Sequence, residues 1–255
     1  MIKIKPIKAY TDNYIWLVTT NEGTLVIDPG EYKPVSDYLK KEDVYLDSIL
    51  ITHHHFDHTG GLADLLKENK DIKVVGPKNH INEIKTRVND GDVIETIGLK
   101  FLVISVPGHT LDHIAFYCEN NGSPFLFCGD TLFAGGCGRI FEGTFNQMYE
   151  SLLKLKKLPT NTKIYCAHEY TEQNLNFASY VEPSNADLVD RLKRVKEQRQ
   201  QNQITLPSSI GEELKTNPFL RCDNKNIRES IFNKYNVQGS DTDIFEAVRN
   251  WKDTF

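Results

Sequence analysis

The chain contains 255 residues, of which 39% are hydrophobic and 25% are charged, and its formal net charge is −5 at pH 7. The length suits one large domain with a smaller one, and the composition is ordinary for a globular protein. The segment MIKIKPIKAY lacks the apolar region of a secretory signal, and no segment has the roughly 20 apolar residues that span a bilayer. The negative charge argues against nucleic acid as the main partner. We therefore expect a cytoplasmic protein that binds neither nucleic acid nor a membrane.

Five cysteines are scattered through the chain without a CxxC pair. Such an odd, dispersed set does not suit the disulfide framework of a small secreted protein. We expect reduced and mostly buried thiols at Cys118, Cys128, Cys137, Cys166 and Cys222.

The first two thirds of the chain alternate short apolar segments, typical of strands, with polar segments of helical pattern. Helices are predicted at residues 62–68, 79–88 and 145–155. This alternation favours an α+β fold in which helices pack outside sheets. The predicted strands are residues 2–7, 14–19, 24–27, 48–51, 74–75, 101–106, 114–117, 125–127 and 163–166.

From about residue 171 the β-branched segments disappear and helical patterns replace them. Residues 171–181, 186–200 and 242–251 are predicted helices, with Asn185 as an N-cap and Ser209 with Glu212 fitting a capping box. We therefore predict two domains, residues 1–170 and residues 171–255, of which the second is all-helical.

The segment ITHHHFDHTGG places four histidines and one aspartate directly after a predicted strand. Residues two apart point the same way in extended backbone, so His53 and His55 can face one ion while His54 points elsewhere. The following turn can direct Asp57 and His58 to a second point nearby. Imidazole and carboxylate are the usual ligands of zinc and similar transition metals, so this loop predicts a metal site.

Two metal ions need more ligands than one loop supplies, and three later strands are each followed by a single candidate: His109, Asp130 and His168. A carboxylate has two oxygens, so Asp130 can bridge two ions. We expect two divalent or transition metal ions per chain, with zinc as the first expectation and iron or manganese left open. The predicted ligands are His53, His55, Asp57, His58, His109, Asp130 and His168.

The pattern THxHxDH, followed by a single His, Asp and His after later strands, resembles the metallo-β-lactamase superfamily. The segments TDNYIWLV, VPGHTLDHIAFY, FCGDTLFAGGCGRIFEGT, AHEYTEQNLNFA, NPFLR and RNWKDTF resemble glyoxalase II, the hydroxyacylglutathione hydrolase family, over essentially the whole chain. The resemblance implies a four-layer αββα sandwich with a smaller all-helical C-terminal domain that binds glutathione. It also implies a monomer that hydrolyses S-(2-hydroxyacyl)glutathione thioesters. S-D-lactoylglutathione would give D-lactate and glutathione, the second step of methylglyoxal detoxification.

Two metal ions about 3.5 Å apart can share one water and lower its pKa toward neutrality. We expect the resulting metal-bridging hydroxide to attack the thioester carbonyl. Asp57 would hold its metal and orient the hydroxide, which makes it the predicted catalytic residue. The thiolate leaving group needs no strong general acid, because a thiol like that of free cysteine has a pKa of about 8.5.

The same resemblance implies where glutathione binds. Arg139 and Phe141 stand where some family members carry Lys and Tyr, so the charge is kept and one hydroxyl is lost. Tyr170 matches a family tyrosine, and Arg249 and Lys252 match an R-x-x-K pair whose members share one helix face. All five are predicted to bind substrate. A solvated helix face for the charged pair and a core role for Tyr170 are the alternatives.

Other reactions on the same scaffold are the nearest alternatives: a persulfide dioxygenase, a lactonase or a tRNA-processing nuclease. A dioxygenase needs only one iron, which would leave His58 and His168 without a role. A nuclease would need an extended basic surface, which a chain of net charge −5 does not indicate. Outside the enzymes, the alternative is a metal-binding module without catalytic activity.

Overall fold

A computed structural model describes residues 2–255, which form two compact units. Unit 1 comprises the chain up to Ser105 together with Asp112–Gly129, and unit 2 comprises Val106–Leu111 and Asp130–Phe255. The two units divide the chain differently from the predicted domain boundary after residue 170. That boundary stays a prediction. No helix in the described part of the chain has the length and apolar character of a membrane span.

Unit 1 contains a six-stranded sheet whose spatial order follows the chain. The first three strands are antiparallel neighbours, whereas the third to sixth strands run parallel. Parallel neighbours need crossover connections: the helix Tyr32–Glu42 lies between the third and fourth strands, and the helix Leu62–Glu68 lies between the fourth and fifth. The elements are β1 (Lys3–Ala9), β2 (Asn13–Thr19), β3 (Thr24–Ile27), α1 (Tyr32–Glu42), β4 (Ser48–Leu50), α2 (Phe56–Thr59), α3 (Leu62–Glu68), β5 (Lys73–Pro77) and β6 (Thr86–Val88).

The core of this part of unit 1 forms between the sheet and its helices. Ile15, Val26 and Ile49 from the strands belong to the same buried cluster as Leu62 and Leu65 of α3. Because β3 and β4 are parallel and in register from Leu25 to Ile27, their carboxyl ends lie side by side. The residues that follow these two strands are therefore neighbours, and one of them begins the histidine-rich loop.

The prediction of a helix at residues 79–88 is wrong. Its last three residues form β6, parallel to β5. At its start, Asn79 Oδ1 accepts a hydrogen bond of 2.9 Å from the amide of Ile81, and such side-chain bonds compete with helix formation. Ile84 is buried in the core cluster. The spacing of Ile81 and Ile84 therefore reflects packing of an irregular segment. The helix α1 was not predicted from the sequence and is an additional element.

The rest of unit 1 is an antiparallel series in which each strand pairs with the next. These strands carry large buried aromatic residues, among them Phe101, Phe116 and Phe127. The strand elements are β7 (Val93–Thr96), β8 (Leu99–Ser105), β9 (Ile114–Cys118) and β10 (Phe125–Gly129).

Unit 2 is mainly helical, with a short hairpin and one strand pair. The predicted helices after residues 144, 170, 185 and 241 are confirmed, and the side chain of Asn185 accepts a hydrogen bond from Leu188 N as an N-cap. Ser208–Ser209 form a two-residue strand in the C-terminal region that pairs with the strand Lys163–Cys166. The elements are β11 (Leu132–Phe133), β12 (Gly136–Cys137), α4 (Phe145–Lys156), β13 (Lys163–Cys166), α5 (Thr171–Val181), α6 (Ala186–Gln200), β14 (Ser208–Ser209), α7 (Ile210–Thr216), α8 (Lys225–Tyr235) and α9 (Asp241–Asp253).

All five cysteines are buried, and they form no disulfide among the described residues, as the sequence predicts.

Candidate functional site

The histidine-rich loop starts directly after β4, and a residue that follows β3 holds its first turn. Asp28 accepts two hydrogen bonds of 2.7 Å from Thr52, one from the amide to Oδ1 and one from the hydroxyl to Oδ2. Asp28 adopts a φ of 53°, a conformation that aspartate tolerates better than most residues. Both residues are buried, so this contact is shielded from water.

Hydrogen bonds on Nδ1 decide which nitrogen of two histidines can bind a metal. His58 Nδ1 lies 3.0 Å from Asp28 Oδ2, a carboxylate oxygen that accepts. His53 Nδ1 lies 3.0 Å from Thr52 Oγ1, whose own hydrogen is donated to Asp28. Both Nδ1 atoms are therefore donors, and the lone pair of each ring lies on Nε2, as in histidines that ligate metals.

Four donor side chains converge in unit 1. The ligand atoms of His53 lie within 4.8 Å of those of His55 and of His58. Asp57 Oδ2 lies 3.5 Å from His58 Nε2 and accepts a hydrogen bond of 2.9 Å from Asn13 Nδ2. His53 and His58 are buried, while the Asp57 side chain is 39% exposed. The loop thus presents a buried face of nitrogen ligands beside one accessible carboxylate.

Gly30 is required for this arrangement. A Cβ at this position would lie 1.8 Å from the carbonyl oxygen of Asp57, so any other residue would displace either segment. The glycine of IDPGE therefore allows the backbone of this segment to pass close to the backbone of the histidine-rich loop.

His54 has a different partner from its two neighbours. Its Nδ1 lies 2.9 Å from Asp112 Oδ1, and the other oxygen of Asp112 accepts a hydrogen bond of 2.8 Å from Asn79 Nδ2. This side chain therefore anchors the loop within unit 1, which agrees with its exclusion from the predicted ligands.

Unit 2 brings together the three predicted ligands that follow later strands. His109 Nε2 lies 3.4 Å and His168 Nε2 lies 3.3 Å from the same atom, Asp130 Oδ2. His109 Nδ1 donates to the carbonyl oxygen of Arg139 at 2.7 Å, so its Nε2 carries the lone pair. All three ligand candidates are buried. A carboxylate oxygen between two imidazole nitrogens is the arrangement that a bridging ligand would have.

A glycine again permits the close approach of two segments in unit 2. A Cβ on Gly138 would lie 1.9 Å from the carbonyl oxygen of Asp130. The amide of Gly138 donates to Thr131 O at 3.1 Å. Gly138 of AGGCG therefore allows the loop to pass close to the candidate ligand Asp130.

Both donor sets suit transition metal ions. They consist of imidazole nitrogens and carboxylate oxygens, and three of the rings have Nδ1 fixed as a donor. These are the ligand types of zinc and of iron or manganese sites, and the outer hydrogen bonds are of the kind that orient metal-bound histidines. The donor chemistry therefore fits the two clusters of a binuclear metal site, whereas it does not select one metal.

The two predicted aromatic substrate residues each contact a candidate ligand of unit 2. Phe141 is 61% exposed, and its ring centroid lies 5.2 Å from that of His109. Tyr170 stacks on His168 with 4.7 Å between centroids, and its ring also contacts Phe133 at 5.4 Å. Both rings therefore lie directly beside the donor cluster.

The three predicted substrate cations cluster around the C-terminal end of α9. Asp253 Oδ1 accepts hydrogen bonds from Arg139 Nε at 3.2 Å and from Arg249 Nη2 at 2.9 Å. Lys252 Nζ lies over the rings of Phe177 and Phe255, and burial together with Arg249 holds the pKa of Lys252 below its ordinary value. Asp253 was not singled out in the sequence, because an aspartate at a helix end has no distinctive pattern.

Arg249 differs from its neighbours because it is 5% exposed. Its Nη1 donates to the carbonyl oxygen of Cys137 at 2.9 Å, and its guanidinium lies 5.1 Å from the ring centroid of Phe219. The solvated helix face considered for Arg249 is therefore wrong. The side chain supports β12, two residues before Arg139.

Buried side chains of α5, of α7 and of Asn217, which directly follows α7, hold the β11–β12 hairpin, and sequence reasoning missed them. The hairpin lies between Asp130 and Arg139, so its position decides where both side chains are presented. The one available signal was the motif NPFLR, which contains Asn217. The bonds are Gly135 N to Glu213 Oε2 at 2.7 Å, Asn217 Nδ2 to Phe133 O at 3.2 Å and to Gly136 O at 2.9 Å, and Asn174 Nδ2 to Ala134 O at 3.2 Å.

A buried ion pair fixes Glu213 in turn. Arg191 Nη2 donates to Glu213 Oε1 at 2.6 Å, and Arg191 Nη1 donates to Thr216 Oγ1 at 2.6 Å. Glu213 is 0% and Arg191 is 3% exposed. Such a pair is costly to break, since removing one partner leaves a buried charge uncompensated.

Comparison with known proteins identifies the fold and the family. A family model described as metallo-beta-lactamase superfamily matches residues 11–168, and one described as hydroxyacylglutathione hydrolase C-terminus matches residues 169–255. The solved structure of ETHE1 from Myxococcus xanthus is similar, with a TM-score of 0.64, 23% identity and coverage of 99% of this chain and 98% of that one. At this identity the likeness shows the fold, which is a metallo-β-lactamase fold with a helical C-terminal region. The predicted fold class is confirmed.

Two relatives are similar over their full length. The hydroxyacylglutathione hydrolase of Idiomarina loihiensis is 48% identical over 257 residues, which cover 99% of each chain. That of Pseudoalteromonas translucida is 48% identical over 261 residues, which cover 100% of each chain. The chain therefore belongs to the hydroxyacylglutathione hydrolase, or glyoxalase II, family, and the predicted family and enzyme class are confirmed.

Proposed function

We propose that this chain hydrolyses S-(2-hydroxyacyl)glutathione thioesters, chiefly S-D-lactoylglutathione, to glutathione and a 2-hydroxy acid. This is the glyoxalase II step, the second of methylglyoxal detoxification. The observation that carries the proposal is the donor set: imidazoles with Nδ1 held as a donor, and Asp130 Oδ2 between two imidazole nitrogens. Family membership over the whole length supplies the substrate class.

The proposal assigns seven metal ligands to two ions, with zinc as the expected metal. The residues that would hold the ions are His53, His55, Asp57, His58, His109, Asp130 and His168, of which Asp130 would serve both. When bound, such a pair of ions lowers the pKa of a bound water and polarises the carbonyl oxygen of the substrate. Support for two sites comes from the number of donors, which exceeds the four of one tetrahedral ion.

Asp57 is the proposed catalytic residue. Its carboxylate is partly exposed, and the hydrogen bond from Asn13 holds one of its oxygens in place. From there it can accept a hydrogen bond from the attacking water and orient it toward the thioester carbon. Asp28 keeps His58 in the required tautomer, so Asp28 acts through the ligand and not on the substrate.

Specificity for glutathione is proposed to come from unit 2. Arg139 and Lys252 supply the positive charge that the carboxylates of the tripeptide need, and arginine can hold a carboxylate through two parallel bonds. Phe141 and Tyr170 pack beside the donor cluster and would contact the substrate there. Arg249 adds its charge from a buried position.

The decisive experiment is steady-state hydrolysis of S-D-lactoylglutathione, compared with a lactone and with a thioester that lacks the glutathione moiety. We expect the glutathione thioester to have by far the highest kcat/KM and a chelator to abolish the activity. A lactone preferred over the thioester would make the chain a lactonase, and full activity in the metal-free protein would refute the metal-dependent reaction.

A matched pair of variants separates ligand histidines from other histidines. His53→Ala should lose activity and bound metal, whereas His80→Ala, at an exposed position in the same unit, should keep both. Equal losses in the two variants would count against the ligand assignment. A monomeric state is proposed from the family resemblance, and sedimentation of the purified protein tests it.

A further inference from the structure

One carboxylate oxygen joins two of the three cations that the proposed function gives to the substrate. Asp253 Oδ1 accepts from Arg139 Nε and from Arg249 Nη2, although Arg139 is 114 positions away in the chain. The Asp253 side chain is 30% exposed. A residue that touches both guanidinium groups can control how they are presented.

Of the two arginines, Arg249 is the fixed one. Its guanidinium is bonded to the Cys137 carbonyl and packed on the ring of Phe219, and it is buried. Asp253 is therefore tied on one side to a side chain that cannot move without disturbing β12. Because Arg249 holds the Asp253 carboxylate in place, that carboxylate can in turn hold Arg139.

Arg139 is the exposed member, since 56% of its side chain is accessible to solvent. The contact with Asp253 uses Nε. The edge formed by Nη1 and Nη2, which can grip a carboxylate through two bonds, is not used in that contact. A long exposed side chain loses conformational freedom when it binds a ligand, so holding it in advance by Nε lowers the cost of binding.

We propose that Asp253 is a positioning residue for substrate binding: it holds the Arg139 guanidinium by Nε, with its Nη edge available to a carboxylate of the glutathione moiety. The inference rests on the proposed function, since it concerns how that substrate is gripped. The position of Asp253 does not argue for a role in helix stability, because a negative charge near a helix C-terminus opposes the helix dipole.

An alternative interpretation of the same contact predicts the opposite change in KM. If Asp253 merely neutralised the cations, removing its charge would leave the cluster more positive and improve binding of an anionic substrate. KM for the glutathione thioester would then fall by the same factor in Asp253→Asn and Asp253→Ala. If Asp253 positions Arg139, KM rises, and the two variants differ, because asparagine keeps an oxygen that accepts a hydrogen bond.

The experiment measures kcat and KM of metal-loaded Asp253→Asn, Asp253→Ala and Glu246→Gln with S-D-lactoylglutathione and with a small thioester lacking glutathione. We expect KM for the glutathione thioester to rise about three-fold in the asparagine variant and about ten-fold in the alanine variant, as a charge-assisted hydrogen bond is weakened and then lost. The kcat values and the hydrolysis of the small thioester should stay at the parent level. Glu246→Gln removes an exposed carboxylate from the same helix and should behave like the parent.

Thermal unfolding and metal content of each variant complete the test, and both should match the parent. An unchanged or lower KM in both Asp253 variants would overturn the proposal. Equal losses with both thioesters, or loss of bound metal, would also overturn it by showing a structural role. A parent enzyme that does not prefer the glutathione thioester would refute the proposed function itself, which is a different outcome.

Discussion

Asp28 and His58 are joined by a hydrogen bond of 3.0 Å between Oδ2 and Nδ1, although they follow different strands. The parallel pairing of β3 and β4 brings them together. The bond decides that Nε2 of His58 is the nitrogen that can bind a metal, so a residue outside the histidine motif controls the chemistry of a residue within it.

We expect Asp28→Ala to weaken metal binding by about 10- to 100-fold, the usual effect of losing such an outer partner. The change removes the acceptor for His58 Nδ1 and for Thr52 together. Metal affinity measured by competition with a chelator gives the result. The exposed Asp71→Ala in the same unit is the control, and equal affinities in the two variants would contradict the role assigned to Asp28.

The purified protein should bind close to two transition metal ions per chain, and Asp130→Ala should lose almost all activity and loosen both ions. Asp130 Oδ2 lies within 3.4 Å of imidazole nitrogens on both sides, so its removal would leave two cations without a shared anionic ligand. Elemental analysis after loading with excess zinc, iron or manganese measures the stoichiometry. One ion per parent chain, or two ions and normal turnover in the variant, would refute the bridging assignment.

Lys252→Ala and Arg249→Ala should raise KM for glutathione thioesters much more than they lower kcat. Contacts made equally in the ground state and the transition state affect KM alone. Loss of one charge-assisted hydrogen bond, about 1.5–3 kcal/mol, corresponds to roughly ten- to a hundred-fold in kcat/KM. Because Arg249 also supports β12, we expect its variant alone to be less stable. A small thioester without glutathione should be hydrolysed by Lys252→Ala as by the parent, and equal loss with both substrates would count against a binding role.

Arg191→Met should lower the free energy of unfolding by about 3–5 kcal/mol, since it leaves the Glu213 carboxylate buried without its cation. Arg194→Met is the matched control, because Arg194 makes an ion pair with Glu212 at 2.7 Å but is 64% exposed. Exposed pairs contribute little. Urea denaturation measures the free energy of unfolding of both variants. Similar losses of stability in the two would mean that burial does not determine how much each ion pair contributes.

The free energy of unfolding should fall at alkaline pH, because the buried thiols resist ionisation in the folded chain. Burial raises the pKa of Cys137 from its ordinary value of 9.0 to about 11, and that of Cys166 to about 12. Above pH 9 the unfolded chain loses these protons while the folded chain keeps them, so their contribution is complete below pH 9 and is lost as the pH rises toward 11. Urea midpoints at pH 8 and pH 10.5 measure the effect. Cys137→Ala should show a smaller decrease, and an equal decrease would exclude Cys137 as a cause.

The donor types of the candidate site could be predicted from the sequence. Histidine and aspartate spaced as HxHxDH after an apolar strand, with single ligands after three later strands, indicate metal ions whatever the details of the packing. Helices with their own caps, such as α6 after Asn185, were also predictable, because periodicity and capping are local properties. Where a local pattern was ambiguous, as at residues 79–88, the prediction failed because pairing with β5 and burial of Ile84 outweighed it.

Which residues support the candidate ligands and the proposed substrate cations depends on the tertiary structure. Asp28 meets His58 through strand pairing, Asn217 meets the β11–β12 hairpin through helix packing, and Asp253 meets Arg139 across 114 positions. None of these residues lies at a spacing that reveals its partner. A hydrogen bond depends on where two side chains lie in space, and local sequence periodicity carries no information about partners that folding brings together from distant parts of the chain.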